Sequence, residues 1–256
     1  MRIIGEDLHL MNPAVFTAIT ERDEKTILSM AQAQVDGGAD CLDLNLGQNR
    51  KLGKLTPWVI ETIQAHFDIP FLLSSHVLKQ QRALEIHQGK ATINAVTANP
   101  TELPKAMATA AMFNANLVVI LVSPTLTPMH VDGRLELAMQ VMDIAIREKF
   151  PLEQLHLDPL ISCRPDPRSV MLSAGLPDIS TAVDSIYFLG ELSDHTMQTI
   201  VPLSQSSMSM LPGTRSRFHC QLLPMLADAG LDNVILNCRD KKLMTVSREM
   251  NIKQAA

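Results

Sequence analysis

A closed α/β barrel of the (β/α)8 type, the TIM barrel, is the fold class that this sequence predicts. Three observations predict it. Strand-length apolar runs alternate with helix-length segments eight times along the chain. The 256 residues match the ~250 that eight such units typically need. The stretch after the first strand reads EDLHLMN, and no G-x-G-x-x-G or P-loop occurs anywhere, so the competing doubly wound sheet lacks its phosphate-binding turn.

The elements follow in order. RIIGE (2–6) is the first strand candidate. A single helical segment is then expected from Asn12, an N-cap type, to Gly37 and Gly38, a C-cap signal. DCLDLNL (40–46), IPFLLS (69–74), ATINAV (91–96) and LVVILV (117–122) are the next four strands. Residues 131–149 carry apolar side chains at helical spacing. QLHLD (154–158), TIVPLS (199–204) and NVILN (233–237) complete the strands. A helix over 214–230 ends in DAG, and a last one covers roughly 240–250. No linker, low-complexity tract or short repeat interrupts the pattern, so 1–256 is expected to be one domain.

Composition narrows the function classes. A net charge of -5 with no basic cluster gives nucleic-acid binding little support. The opening MRIIGEDL is charged too early for a secretory signal, and no apolar run approaches the ~20 residues of a membrane span. A soluble, cytoplasmic protein is expected. Cys41, Cys163, Cys220 and Cys238 form no C-x-x-C pair and have no histidine at finger spacing, which predicts buried or semi-buried thiols and no metal site. The 15 methionines suggest a Met-rich core.

In such a barrel, sites form where the strands end. Glu6, Asp43, Asn45, Ser74, Ser75, His76, Asn94, Ser123, Asp158, Ser204, Gln205 and Asn237 all lie at strand ends. Alternation places Leu42, Leu44 and Leu46 against the helices and turns Asp43 and Asn45 into the barrel near its mouth. A polar group buried without a partner costs a few kcal/mol. These groups must therefore bind one another, water or a ligand. Carboxylates, carboxamides and hydroxyls with few cations suit a neutral heterocycle bearing donor and acceptor edges, and suit phosphate poorly. No Ser-His-Asp order or strand-end lysine is present. Plainer roles also exist. Asp158 could simply start an Asp-Pro turn. Asn45 could cap a loop, Glu6 could pair with a buried cation, and His9 and His76 read as loop residues.

IIGE (3–6), GADCLDLNLG (38–47), TINAVTA (92–98), LHLDPL (155–160), PLSQSS (202–207) and ADAGLDNVILN (227–237) occur in order at barrel-like spacing. Together they resemble the pterin-binding family of (β/α)8 barrels, most closely the methyltetrahydrofolate:corrinoid methyltransferases. The likeness spans nearly the whole chain. It implies a tetrahydrofolate-type pterin as methyl donor or acceptor, a corrinoid (cobalamin) carried by a partner protein, and a homodimer. By position, Asp43 and Asn45 match the L-D-(L/I)-N motif of that family, Asn94 its I-N-S-T motif and Asp158 its D-P-L motif. Arg215 matches an arginine after the strand-seven loop. Ser74 stands where the third strand ends in a pterin-binding Asp. PLSQ replaces G-L-S-N, which keeps Ser204 but puts Gln205 where an Asn contacts pterin N5. GEDLH places His9 where an Asn is usual. The resemblance thus casts Gln205 as the catalytic residue, with Asp43, Asn45, Ser74, Asn94, Asp158, Ser204 and Arg215 binding substrate. Losing the Asp acceptor at 74 would forfeit about 1.5–3 kcal/mol of binding. Two expectations follow: an active, divergent methyltransferase, or a barrel that binds a pterin-like ligand or assembles with partners without turnover. The early Asp-Ser-Phe loop and the lysine-bearing strand-seven motif of dihydropteroate synthases are absent, so that activity is not expected.

Overall fold

Eight parallel strands close on themselves in chain order. They are β1 (Arg2–His9), β2 (Cys41–Asn45), β3 (Phe71–Ser74), β4 (Thr92–Thr97), β5 (Asn116–Ile120), β6 (Leu155–Asp158), β7 (Gln198–Pro202) and β8 (Asn233–Leu236). The computed structural model describes residues 1–47, 49–125, 127–161, 179–208 and 210–255. All eight strands coincide with the predicted runs to within a few residues, and the closed barrel is the fold expected from the sequence.

Alternation along the strands sorts the side chains into two cores. Leu42, Leu44, Leu73, Ile93, Leu117, Val119 and Leu157 face outward and are packed under the helices. Ile4, Cys41, Leu72, Val118, Ile200 and Ile235 face inward and form a separate cluster within the barrel. Cys41 and Cys238 are buried and Cys220 is half-buried, as free thiols. Cys163 lies outside the described residues. The methionines depart from expectation. Met107, Met197, Met244 and Met250 are buried, but Met11, Met112, Met129, Met139, Met208 and Met225 are exposed. The unbranched thioether is held by no packing demand at those helix and loop positions, so the core is built of Leu, Ile, Val and Ala instead.

The long helix expected after Asn12 is two helices, α1 (Pro13–Glu21) and α2 (Glu24–Gly37). The Asn12 side chain does cap α1, accepting from the Ala14 amide at 3.1 Å. Arg22 then turns left-handed, with φ 55°. Asp23 starts the second helix, accepting from the Thr26 amide at 3.1 Å and from its hydroxyl at 2.6 Å. An Asp that satisfies its own N3 amide competes with continued helix, which is why the chain breaks there. Gly38, at φ 108°, closes α2 as its C-cap.

The remaining helices are α3 (Arg50–Gly53), α4 (Thr56–Gln64), α5 (Arg82–Ile86), α6 (Leu103–Met112), α7 (Val131–Arg147), α8 (Ile179–Leu192), α9 (Pro212–Asp228) and α10 (Lys241–Ala255). The three helices expected late in the chain correspond to α7, α9 and α10. Among the described residues, no helix is long and apolar enough to cross a membrane.

Two strand ends differ from expectation, and both matter for the site. β1 runs on to His9, and its pairing with β2 shifts between Gly5 and Leu8. The irregularity turns Leu8, which is fully buried, outward into the helix-side core, and carries His9 to the mouth instead. His9 is therefore a strand residue. β7 stops at Pro202, and residues Leu203–Ser207 form a 3-10 turn. Ser204 and Gln205 thus sit on a turn after the strand, because Pro202 has no N–H with which to extend the ladder.

Candidate ligand site at the mouth of the barrel

The strand ends surround a cavity of about 700 Å³. Glu6 and His9 reach it from β1, Asp43 and Asn45 from β2, Asn94 from β4, and Asp158 from β6. Ser204, Gln205 and Met208 reach it from the segment after β7, and Arg215 from α9. Seven of the eight residues named from the sequence therefore line one cavity: Asp43, Asn45, Asn94, Asp158, Ser204, Gln205 and Arg215. The eighth does not. Ser74 is buried, and its Oγ lies 2.6 Å from His76 Nδ1, away from the cavity lining. His76 itself belongs to a 3-10 turn, Ser75–Leu78, rather than a loop.

The floor is unusual in its carboxyl groups. Burial pushes Asp43 up to about 7, with the Glu6 charge adding to the effect. Burial likewise pushes Glu6 up to about 7, against the lowering effect of a hydrogen bond from the Ser204 hydroxyl. Asp43 Oδ1 is buried with no hydrogen-bond partner among the described residues. With both carboxyls raised to about 7, protonated and ionised forms coexist at neutral pH, so this pair can donate as well as accept. Glu6 is among the strand-end residues that the sequence offers, but like His9 it is given no binding role by the resemblance, and both line the cavity. The signal for Glu6 was available: it shares the inward face of β1 with Ile4.

Asp158 is held differently. Its Oδ1 accepts the Leu160 amide at 2.8 Å, which closes the Asp-Pro turn. Burial raises its carboxyl to about 6, offset by that backbone bond and by Arg134. The turn role expected from Asp-Pro and a lining role in the cavity are thus both present. His9 is kept neutral, because burial lowers its pKa more than Asp7 raises it. Arg215 lines the cavity, but its Nε and Nη2 donate to the Met210 and Met208 carbonyls at 3.2 and 3.4 Å. The guanidinium therefore braces the segment that carries Gln205. Among the described residues, no group of three or more His, Cys, Asp or Glu is placed to hold a metal ion.

Fold and site together define a closed (β/α)8 barrel with a polar, acid-lined mouth. The particular structures that it matches are these. Dihydropteroate synthase from Yersinia pestis, solved with a pterin–sulfa conjugate, aligns with a TM-score of 0.69 at 11% identity, covering 100% of this chain and 94% of that one. The enzyme from Xanthomonas albilineans in complex with 7,8-dihydropteroate aligns at 0.65 and 14% identity, covering 100% and 93%. That from Stenotrophomonas maltophilia, with imidazole in its active site, aligns at 0.68 and 14% identity, covering 99% and 92%. At these identities the likeness shows the fold. No protein-family model matches the chain.

Proposed function

We propose that the barrel binds a reduced pterin in its mouth and transfers a methyl group between the pterin N5 and the cobalt of a corrinoid carried by a partner protein. The observation that carries this reading is the meeting of Asp43, Asn94 and Asp158, from three strands, in one cavity with the Gln205 carboxamide. Two carboxyls and a carboxamide are the complement of a heterocycle edge with several N–H donors. Barrels of this fold have been solved with pterin-bearing ligands, which supports the same class of ligand here.

The chemistry follows from the leaving group. The bond from the methyl carbon to N5 breaks as the methyl passes to the nucleophile, and N5 must gain a proton or a hydrogen bond as its electron pair returns. The corrinoid, when bound through its carrier, supplies the nucleophilic cobalt. The work left to this chain is positioning and polarising the pterin. Gln205 donates to N5 through its amide, and the Glu6–Asp43 pair holds protons nearby at neutral pH. Among the described residues that line the cavity, the one permanent cation is Arg215, already bonded to two carbonyls.

A second reading has its own support. The bond between Ser74 and His76 withdraws the third-strand group from the mouth, which suits a barrel that binds a pterin-like ligand as a binding or assembly subunit without turnover. Calorimetric titration with methyltetrahydrofolate, followed by addition of cob(I)alamin and spectroscopic detection of its methylation, tests both. Binding with transfer is the expected result. Binding without transfer selects the second reading, and no binding at about millimolar pterin overturns both. The homodimer belongs to this proposal and is checked by sedimentation in the same preparation.

A further inference from the structure

The opposite, N-terminal end of the barrel holds a second cavity, of about 360 Å³. Arg2, Asn116, His156, Gln198 and Asn233 line it. Each stands two residues before a residue that faces the lumen, so alternation turns each of them inward as well. Barrel interiors at this level are usually filled by branched apolar side chains. Here the layer is polar and only partly satisfied from within.

Asn116 Nδ2 donates to Thr92 Oγ1 at 3.2 Å, and Asn233 Nδ2 donates to Gln198 Oε1 at 3.0 Å. These bonds leave the Gln198 amide nitrogen as a donor. His156 is 2% exposed. Neither of its ring nitrogens has a hydrogen-bond partner among the described residues, and its Nδ1 is wholly buried. The Arg2 guanidinium is in no ion pair among the described residues, although two carboxylates stand at the rim. One of these, Asp232, is taken up by the Thr199 amide at 2.7 Å and hydroxyl at 3.0 Å. The other, Glu153, is exposed, as is Lys90 beside it on the rim.

An unpaired guanidinium and an unpartnered, buried imidazole in one small polar cavity are the complement of an oxyanion. The donors come from β1, β6, β7 and the segment before β4, around the lumen rather than in one plane. That spread suits a tetrahedral acceptor better than a planar carboxylate. We propose that this cavity binds a small tetrahedral oxyanion, inorganic phosphate or the phosphoryl group of a small ester, held by Arg2 and Lys90 with His156 and Gln198 as hydrogen-bond donors. In the free protein His156 is neutral: burial, then the charges of Arg2 and Lys90, push its pKa down to about 4. A bound dianion offsets both cations and draws the imidazole titration upward, while Glu153 and Asp232, the carboxylates that share the cavity, oppose its binding.

The test is a histidine C–H NMR titration of the full chain with sodium phosphate, with NaCl at matched ionic strength as reference and His156 assigned through H156Q. The expected result is a saturable shift of His156 with phosphate alone and an upward move of its titration midpoint. K90Q, at an exposed position that leaves the fold intact, should weaken binding about ten-fold, and R2Q by a similar or larger factor. Tighter binding of glycerol phosphate than of inorganic phosphate assigns the site to an ester, and equal or weaker binding assigns it to the free ion. An equal response to chloride, undiminished binding in R2Q/K90Q, or malonate binding as tightly as phosphate overturns the proposal.

Discussion

Ser74 Oγ lies 2.6 Å from His76 Nδ1, and on the far side of the ring His76 Nε2 lies 3.1 Å from Thr56 Oγ1 and 3.3 Å from the Gly53 carbonyl. The Thr56 hydroxyl already donates to the Gly53 carbonyl at 2.8 Å. Nε2 must then carry the ring proton, and Nδ1 accepts from Ser74. The third-strand position, where the resemblance expects a pterin-binding carboxylate, is thus locked into a neutral Ser-His-Thr relay. Burial keeps His76 below the ordinary histidine range. Ser74→Asp would place a carboxylate against Nδ1, so it is expected to raise the His76 titration midpoint and to tighten pterin binding by less than about two-fold. Histidine NMR and calorimetry check the two halves. A ten-fold gain in affinity would show that the new carboxylate turns into the mouth instead.

Asp43→Asn tests the proton-holding floor through stability. Asp43 is raised from 3.8 to about 7 in the folded chain. The native state therefore binds more protons than the unfolded state between those values. Stability falls as pH rises through that window and levels off above it. The neutral Asn escapes the loss. The variant should melt close to the wild type near pH 4 and higher at pH 8, by an amount equivalent to about 2–4 kcal/mol. Thermal denaturation across this range decides it; a constant gap at every pH would mean that Asp43 is ionised throughout.

Asp158 predicts a pH dependence of binding. Its carboxylate accepts best when ionised, and burial raises its pKa to about 6. Pterin affinity should hold above pH 7 and decline as pH falls through 6. Asp158→Asn should weaken binding about ten- to a hundred-fold at pH 8 and flatten that decline. Calorimetry at three pH values gives both numbers.

Gly5→Ala tests the packing that sets the β1 irregularity. A Cβ at Gly5 would collide with the Oε1 of Gln34, a fully buried side chain whose oxygen accepts the Asp7 amide at 3.0 Å. The variant is expected to lose about 1–3 kcal/mol in urea denaturation. Because that bond anchors β1 just where its register shifts, Glu6 and His9 should also lose their placement, seen as weakened pterin binding.

The barrel and its inward-facing polar residues were legible because alternation and strand–helix rhythm are local properties of the chain. Leu42 and Asp43 sort to opposite faces by spacing alone. What was not legible depends on neighbours distant in sequence. The withdrawal of Ser74 needs His76 folded back under Gly53 and Thr56, and a 3-10 turn has too short a period to announce that. The inward turn of His9 needs the register shift between β1 and β2, which strict alternation would deny. The engagement of Arg215 with the Met208 and Met210 carbonyls is set by where β7 ends. The break at Arg22 is written locally, in Asp23 and Thr26, but the surrounding residues continue a helical pattern that masks it.

The inward cluster of Ile4, Cys41, Leu72, Val118, Ile200 and Ile235 is, in effect, a septum. It divides one lumen into two vestibules, and β6 crosses it with His156 below and Asp158 above, about 6–7 Å apart along the strand. The layer keeps the two polar chambers apart: the charges that act on His156 are those of Arg2 and Lys90, and the charge that acts on Asp158 is that of Arg134.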